Sequence, residues 1–292
     1  MQLVTYHYKN LIRIGAVQDN LIFDLSDIAL DMVQFIKMGI PALDQARAQL
    51  NTKKTAVSLD RVKLLAPIPS PLRNIMCLGL NYAEHAAESY SARGQETKLP
   101  QTPIVFTKAT TTVNGPYHDI PYDPYTSTKI DWEAELAIVI GRPGKNIAPT
   151  DAMDHIFGYT VLNDMTARDL QREGKQYFKG KSLDGHCPMG PGVITVDEIP
   201  DPHQLAIISR VNGIVKQQSN TRHMIFNIPA IIAYLSRGMT LMPGDIIATG
   251  TPSGVGFART PPEFLRPGDI IECEVEKIGL IRNRVAEASS NH

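Results

Sequence analysis

Apolar positions along this chain recur mostly at the spacing of strands. The clusters Leu11-Ile12-Arg13-Ile14-Gly15-Ala16-Val17 and Asn20-Leu21-Ile22-Phe23-Asp24-Leu25 are parted by the turn-like pair Gln18-Asp19, so Leu3 to about Asp27 reads as short strands. A helix is expected from roughly Ser26 to Met38, with Ser26 or Asp27 as its N-cap and Gly39-Ile40-Pro41 as its stop. A second helical run follows from Pro41 to about Asn51. The cluster Pro67-Ile68-Pro69-Ser70-Pro71 is the clearest punctuation in the chain, and predicts a small N-terminal domain (1–68) and a larger unit (69–292).

The larger unit is dense in strand signals. They lie at Ile75 to Gly79, Ile104 to Thr107, Trp132 to Ile140, Gly158 to Leu162, Gly192 to Val196, Leu205 to Val211, Asp245 to Thr249, Asp269 to Val275 and Gly279 to Val285. Helices are fewer: Tyr82 to about Tyr90, Asp151 to His155, Ala167 to about Glu173, and Ile228 to Ser236. Strands and helices do not alternate strictly, which favours a mixed, mostly antiparallel β architecture over a doubly wound sheet.

Composition narrows the partners. Lys and Arg number 29 against 30 Asp and Glu, a formal net charge of -1, which gives no support to binding nucleic acid or an anionic membrane through overall charge. No apolar run is long enough to cross a bilayer, and the start lacks the basic head and apolar stretch of a signal peptide, so a soluble, cytoplasmic protein acting on a small molecule is expected. Cys77, Cys187 and Cys273 are far apart and lack C-x-x-C spacing, and read as reduced core residues.

Three stretches carry chemistry. In Asp131-Trp132-Glu133-Ala134-Glu135-Leu136-Ala137, strand alternation places Glu133 and Glu135 on one face, close enough to converge on one cation; the plainer reading is a solvated sheet face. Asp164, at the end of an apolar run and the start of Asn163-Asp164-Met165-Thr166-Ala167-Arg168-Asp169-Leu170-Gln171, is a third oxygen donor or a helix N-cap. Three carboxylates without Cys or His select a hard cation, Mg²⁺ or Mn²⁺ before Zn²⁺. On a helix His85 and Glu88 are neighbours, either a general-base pair or a surface His beside a Glu.

Two glycine motifs complete the set. Gly180-Lys181-Ser182 is no phosphate loop, because Lys175 stands where the upstream Gly belongs. Thr249-Gly250-Thr251-Pro252-Ser253-Gly254-Val255-Gly256 reads as a tight loop offering N–H groups and Thr hydroxyls to an anionic ligand, or as a plain turn.

Taken in order, Gly-x-Asn-Tyr-x-x-His-x-x-Glu at 79–88, Asp-x-Glu-x-Glu at 131–135, Asn-Asp-x-Thr-Ala-Arg-Asp-x-Gln at 163–171, Gly-Lys-Ser at 180–182 and Thr-Gly-Thr-Pro-x-Gly-Val-Gly at 249–256 resemble the fumarylacetoacetate hydrolase family. The resemblance covers about residues 70–285. It implies a mixed β-sandwich roll with a few short helices, a small N-terminal α+β domain, a homodimer and one Mg²⁺ or Mn²⁺. By the same resemblance Glu133, Glu135 and Asp164 match the metal ligands, and His85 with Glu88 matches a catalytic dyad on a lid-like helix. Lys181 matches the lysine beside the metal, and Tyr82, Arg168, Gln171 and Thr251 match positions that bind substrate or support the site. The chain departs from the pattern at Met165 and in an inserted stretch, Ser89 to Pro103.

The activity implied is hydrolysis of the C3–C4 bond of a 2,4-dioxo acid of the acylpyruvate type, giving pyruvate and a carboxylic acid. Two alternatives use the same scaffold without an attacking water: decarboxylation of a 2-oxo acid such as oxaloacetate, and isomerisation or hydration of 2-hydroxymuconate-type dienoates. A non-catalytic ligand-binding scaffold is the alternative of another class.

Overall fold

The computed structural model describes residues 1–52 and 56–288. Its N-terminal strands Gln2–Tyr8, Leu11–Gln18 and Leu21–Asp24 form an antiparallel meander. Both connections are two-residue turns, and Lys9, Asn10, Asp19 and Asn20 all take positive φ (50° to 63°), the left-handed pair that matches strand twist in tight hairpins. The first helix is shorter than expected. Ser26 and Asp27 lie outside it, and α1 (Met32–Met38) starts at Asp31, whose carboxylate accepts from Gln34 N at 2.8 Å. Gly39 ends it with φ 62°, and α2 (Ile40–Thr52) follows.

This meander is continuous with the larger unit. Gln2 and Leu3 pair with Ile194 and Val193 of strand Cys187–Thr195, which extends the sheet through Ile156–Asn163, Ala134–Ile140, Ile246–Ala248, Ile75–Gly79 and Ile104–Lys108. Among the described residues this sheet has twelve strands, and a second has five: Ile214–Asn220, Ala206–Val211, Ile270–Val275, Gly279–Glu287 and Ile120–Tyr122. Neighbours are mostly antiparallel, with parallel pairing of Ile246–Ala248 to Ile75–Gly79. The fold is the mixed, mostly β arrangement with short helices expected from the sequence.

Strand Ala134–Ile140 is buried along its whole length. Its even residues Ala134, Leu136, Ile138 and Ile140 pack with Ile207, Ile271, Ile281 and the helix Ile228–Ser236 in the core under the five-stranded sheet. Its odd residues Ala137 and Val139 pack with Cys77, Cys187, Met189 and Phe35 and Ile36 of α1 on the other side. A strand covered on both faces has no solvated side, which removes the plainer reading of Glu135. One correction concerns Glu133, which the pattern placed inside a strand running from Trp132. The strand begins at Ala134, and Glu133 sits in the break after the short strand Ile130–Asp131.

The remaining helices are α3 (Ala83–Ser91), α4 (Arg168–Glu173), α5 (Phe178–Lys181) and α6 (Ile228–Ser236). The expected helix at Asp151 to His155 is a single 3₁₀ turn, Ala152–His155. Helix α5 and strand Ile214–Asn220 carry no strong periodicity and were not anticipated. The three cysteines are buried and free. Among the described residues no helix is long and apolar enough to cross a membrane.

Candidate metal centre and active site

Glu133, Glu135 and Asp164 converge: one carboxylate oxygen from each lies within 4.8 Å of the others, and all three residues are buried. Backbone geometry brings them together. Asp164 follows strand Ile156–Asn163, and its N–H donates to Glu133 O at 2.9 Å, while the Asn163 side-chain oxygen accepts from Glu133 N at 3.0 Å. Asp164 caps no helix; α4 begins four residues later.

Cations surround these acids. Lys181 Nζ donates to Glu133 Oε2 at 2.7 Å and Asp164 Oδ2 at 2.6 Å. Lys108 Nζ lies 2.8 Å from Asp164 Oδ1, an ion pair outside hydrogen-bond geometry, and donates to Met165 O at 3.0 Å. Arg168 donates to Glu133 Oε1 at 2.7 Å, Asp131 Oδ2 at 2.8 Å and Gln171 Oε1 at 3.1 Å. Lys108 and Asp131 are functional neighbours that the sequence reading did not single out. Lys108 is the last residue of a strand that the apolar pattern ends at Thr107.

Four buried carboxylates (Asp131, Glu133, Glu135, Asp164) thus face three buried cations (Lys108, Lys181, Arg168). Burial pushes the Glu133 carboxyl up, but the charges of Lys181 and Arg168 outweigh it and bring it down to about 2. Lys181 is held as ammonium, because Asp164 and Glu133 more than offset the burial that opposes its charge. Glu135 goes the other way: burial, then the nearby Asp164 and Glu133 charges, raise its pKa well above the carboxylate range. It is the surplus anion of the cluster.

That surplus fits a divalent cation. Glu135 Oε2 accepts from Gly250 N at 2.7 Å, whereas its buried Oε1 has no hydrogen-bond partner. Three carboxylates, one of them with an orphaned oxygen, suit a hard cation.

The His–Glu pair forms as expected, and it is not a surface pair. His85 on α3 is 5% exposed, and its Nδ1 lies 2.8 Å from Glu88 Oε1. An ionised Glu88 can only accept, so Nδ1 carries the proton and Nε2 is left to exchange one. Glu88 is fixed in turn by Gly254 N, which donates to its Oε2 at 2.8 Å.

This last contact corrects the reading of the glycine loop. Its N–H groups serve the protein's own acids rather than a foreign anion: Gly250 donates to Glu135, Gly254 to Glu88, and Gly256 and Phe257 to Asp131 at 2.7 and 3.0 Å. Gly254 has φ 102°, and a Cβ there would meet Lys216 O at 2.1 Å, so only glycine fits. The Thr251 hydroxyl is also engaged, donating to Ala134 O at 2.9 Å and accepting from Gln217 at 2.7 Å.

Between the dyad and the carboxylates lies a cavity of ≈ 30 Å³, lined by His85, Ser89, Glu133, Gln171, Lys181 and Thr251 among others. Phe106 and Tyr177, in edge contact at 5.6 Å, form one wall, and Phe257 forms another beneath the Arg168 guanidinium, 4.4 Å away. Tyr82, by contrast, is buried at the start of α3 with its hydroxyl unpartnered; burial and the nearby Glu135 charge raise its pKa.

A two-sheet β fold with a buried acidic triad near a buried His–Glu pair is that of an enzyme with a candidate metal centre. The fumarylacetoacetate (FAA) hydrolase C-terminal family model matches residues 74–286, and the chain belongs to that family. It is 45% identical over 272 residues to the oxaloacetate tautomerase YisK of Bacillus subtilis, covering 90% of this chain and 89% of that one. With the mitochondrial oxaloacetate tautomerase of Xenopus laevis it shares 46% identity over 256 residues, 87% of this chain and 78% of the relative.

Among solved structures, a fumarylacetoacetate hydrolase from Exiguobacterium antarcticum superposes with TM-score 0.85 at 38% identity, covering 98% of this chain and 99% of that one. A maleylpyruvate hydrolase from Sphingobium, in complex with manganese(II) and pyruvate, gives 0.81 at 30% identity, covering 99% and 100%.

Proposed function

We propose that this protein is a divalent-metal-dependent enzyme that interconverts the enol and keto forms of oxaloacetate. The observation that carries this reading is that His85, buried and paired with Glu88, lines one cleft with Glu133 of the carboxylate cluster, which sets a proton-transfer group beside a centre able to stabilise an enolate. That arrangement serves proton transfer at the carbon next to the 2-oxo group of a small 2-oxo acid. The two tautomerase relatives at 45–46% identity support the same substrate. The expectation of an acylpyruvate hydrolase gives way here to a reading nearer its alternative, which named oxaloacetate as the substrate of a decarboxylase rather than of a tautomerase.

Glu133, Glu135 and Asp164 would hold Mg²⁺ or Mn²⁺, which would supply charge stabilisation to an enolate formed in the cleft. Lys181 places an ammonium against this centre and stabilises negative charge developing on the 2-oxygen. His85, oriented by Glu88, takes up at Nε2 the proton that the enol 2-hydroxyl loses and delivers it to C3 in the enol-to-keto direction, and moves it from C3 to the 2-oxygen in reverse. Phe106, Tyr177 and Phe257 keep water from the exchanging proton. Gln171 and Arg168 hold Glu133 and the cavity wall in place.

Hydrolysis is the second reading, favoured by the same dyad, since His85 can activate a water as readily as it moves a carbon-bound proton. One assay separates them. The purified enzyme is given enol-oxaloacetate or an acylpyruvate, with Mg²⁺, Mn²⁺ or EDTA, and enol absorbance and pyruvate are followed together. Metal-dependent enol loss without pyruvate marks the tautomerase. Pyruvate from oxaloacetate marks a decarboxylase, and pyruvate from the acylpyruvate alone marks the hydrolase. A homodimer, as the family resemblance implies, is proposed for the assembly; sedimentation measures it.

A further inference from the structure

Three arginines from two elements gather on one ring. The guanidinium of Arg168 lies 4.4 Å from the centroid of Phe257, that of Arg172 5.7 Å and that of Arg93 6.0 Å. Arg168 is fully committed to Asp131, Glu133 and Gln171. Arg93 and Arg172 differ: both are exposed, and neither takes part in an ion pair among the described residues. Two cations placed on the same apolar ring without a counter-ion repel each other, and an anion between them relieves that cost.

Arg93 lines the cavity itself, and Arg172 approaches it through Phe257, which lines it. His85, Ser89 and Arg93 line the same cavity at intervals of four residues, one face of α3 and the turn that continues it, where Arg93 N donates to Tyr90 O at 3.0 Å. Ala92 caps α3, so Arg93 stands in the turn beyond it, and its place in the cavity lining with His85 and Ser89 brings its side chain back over the cleft. Arg172 adjoins Gln171, another cavity residue, on α4.

We infer that Arg93 and Arg172 form the subsite for the distal carboxylate of a 2-oxo diacid, at the mouth of the cleft whose floor takes the 2-oxo carboxylate end. This inference rests on the 2-oxo acid reading above and adds the second anionic group that the substrate must carry. Phe257 serves as the platform that holds both guanidinium planes over the entrance. The forked donors of arginine match a carboxylate. Arg93 falls within the Ser89 to Pro103 insertion, which gives that stretch a role in substrate choice.

The test compares the metal-loaded wild type with Arg93→Ala, Arg172→Ala, the double variant and Arg93→Lys. Three quantities are measured: kcat and KM for enol-oxaloacetate, C3-proton exchange of 2-oxobutyrate in D₂O by NMR, and calorimetric affinity for oxalate, which lacks a distal group. The expected result is a preference for oxaloacetate over 2-oxobutyrate, in kcat/KM, that falls ~10-fold per arginine lost. The fall should come through KM, with oxalate affinity moving less than ~3-fold and Arg93→Lys giving partial recovery. A double variant with wild-type preference overturns the subsite while leaving the oxaloacetate reading intact. Equal losses for oxalate and oxaloacetate also overturn it, by reducing the arginines to a general field. A wild type inert toward oxaloacetate overturns both.

Discussion

Asp131 joins Arg168 to the glycine loop. Its Oδ2 accepts from Arg168 Nε at 2.8 Å, and the same carboxylate accepts the N–H groups of Gly256 and Phe257 at 2.7 and 3.0 Å. The Asp-x-Glu-x-Glu motif therefore supplies two candidate metal ligands and, in its first residue, the counter-charge that keeps Arg168 facing Glu133. Asp131→Ala leaves a buried guanidinium half-paired and two loop N–H groups unsatisfied. It should cost about 3–5 kcal/mol in denaturant unfolding, and added Mg²⁺ should not restore it.

Lys108 makes the equivalent contact behind the centre, where it is 0% exposed and pairs with Asp164. Replacing it by Met keeps the volume and strands Asp164 Oδ1 in an apolar setting beside Cys77 and Cys187. A loss of about 3–5 kcal/mol is expected without metal. Because the stranded oxygen can then turn to a cation, the added-Mn²⁺ increment in Tm should exceed that of the wild type.

Glu135 gives the metal test its clearest sign. In the metal-free protein its raised pKa means that folding favours the protonated form, so stability is full below the unfolded carboxyl value of 4.5 and falls as pH rises toward its folded one. Glu135→Gln removes that charge while its carbonyl still accepts from Gly250. At pH 7 without metal the variant should melt at or above the wild-type temperature. The stabilisation by metal, about 2.7 kcal/mol at a hundredfold excess over Kd in the wild type, should disappear.

His186 is a buried histidine that takes no part in the dyad. Its Nε2 donates to Pro121 O at 2.8 Å, and its buried Nδ1 has no partner. Burial lowers its pKa from 6.5 to about 4. A depressed histidine stabilises the fold above the unfolded value of 6.5, and that contribution is lost as pH falls toward 4, about 3 kcal/mol over the window. His186→Gln keeps a donor for Pro121, so its Tm should drop less than that of the wild type between pH 7 and pH 4.5.

Gly254→Ala tests the tie between loop and dyad. The added methyl meets Lys216 O at 2.1 Å and must displace the N–H that orients Glu88. A mispositioned general base costs ~10²–10⁴ in rate. We expect kcat to fall toward that range while calorimetric Mn²⁺ affinity stays near wild type.

How far the sequence carried can be read from particular residues. Alternation placed Glu135 correctly, because strand geometry is local, and the sorting of Leu136, Ile138 and Ile140 from Ala137 and Val139 into two cores follows the same rule. Helix α6 and the stop at Gly39 were legible from apolar spacing and a glycine. Glu133 was misplaced because a strand break leaves no mark when both flanks are apolar. Lys108 was invisible as a site member, since a lone cation at the end of an apolar strand has no pattern until tertiary structure supplies its partner, and Asp131, though part of the quoted motif, had no role until Arg168 and the loop N–H groups were seen on it. The loop at 249–256 had the right signal and the wrong recipient: glycines announce exposed N–H groups, and only the fold shows which acids take them.

The hydrogen bond from Gly254 to Glu88 has a mechanical consequence. It ties α3 to a loop that does not belong to the helix, so movement of the helix away from the cleft must break it. Displacement of α3 would therefore free Glu88 from the loop and His85 from its fixed orientation together, so loop and helix hold the dyad as one unit.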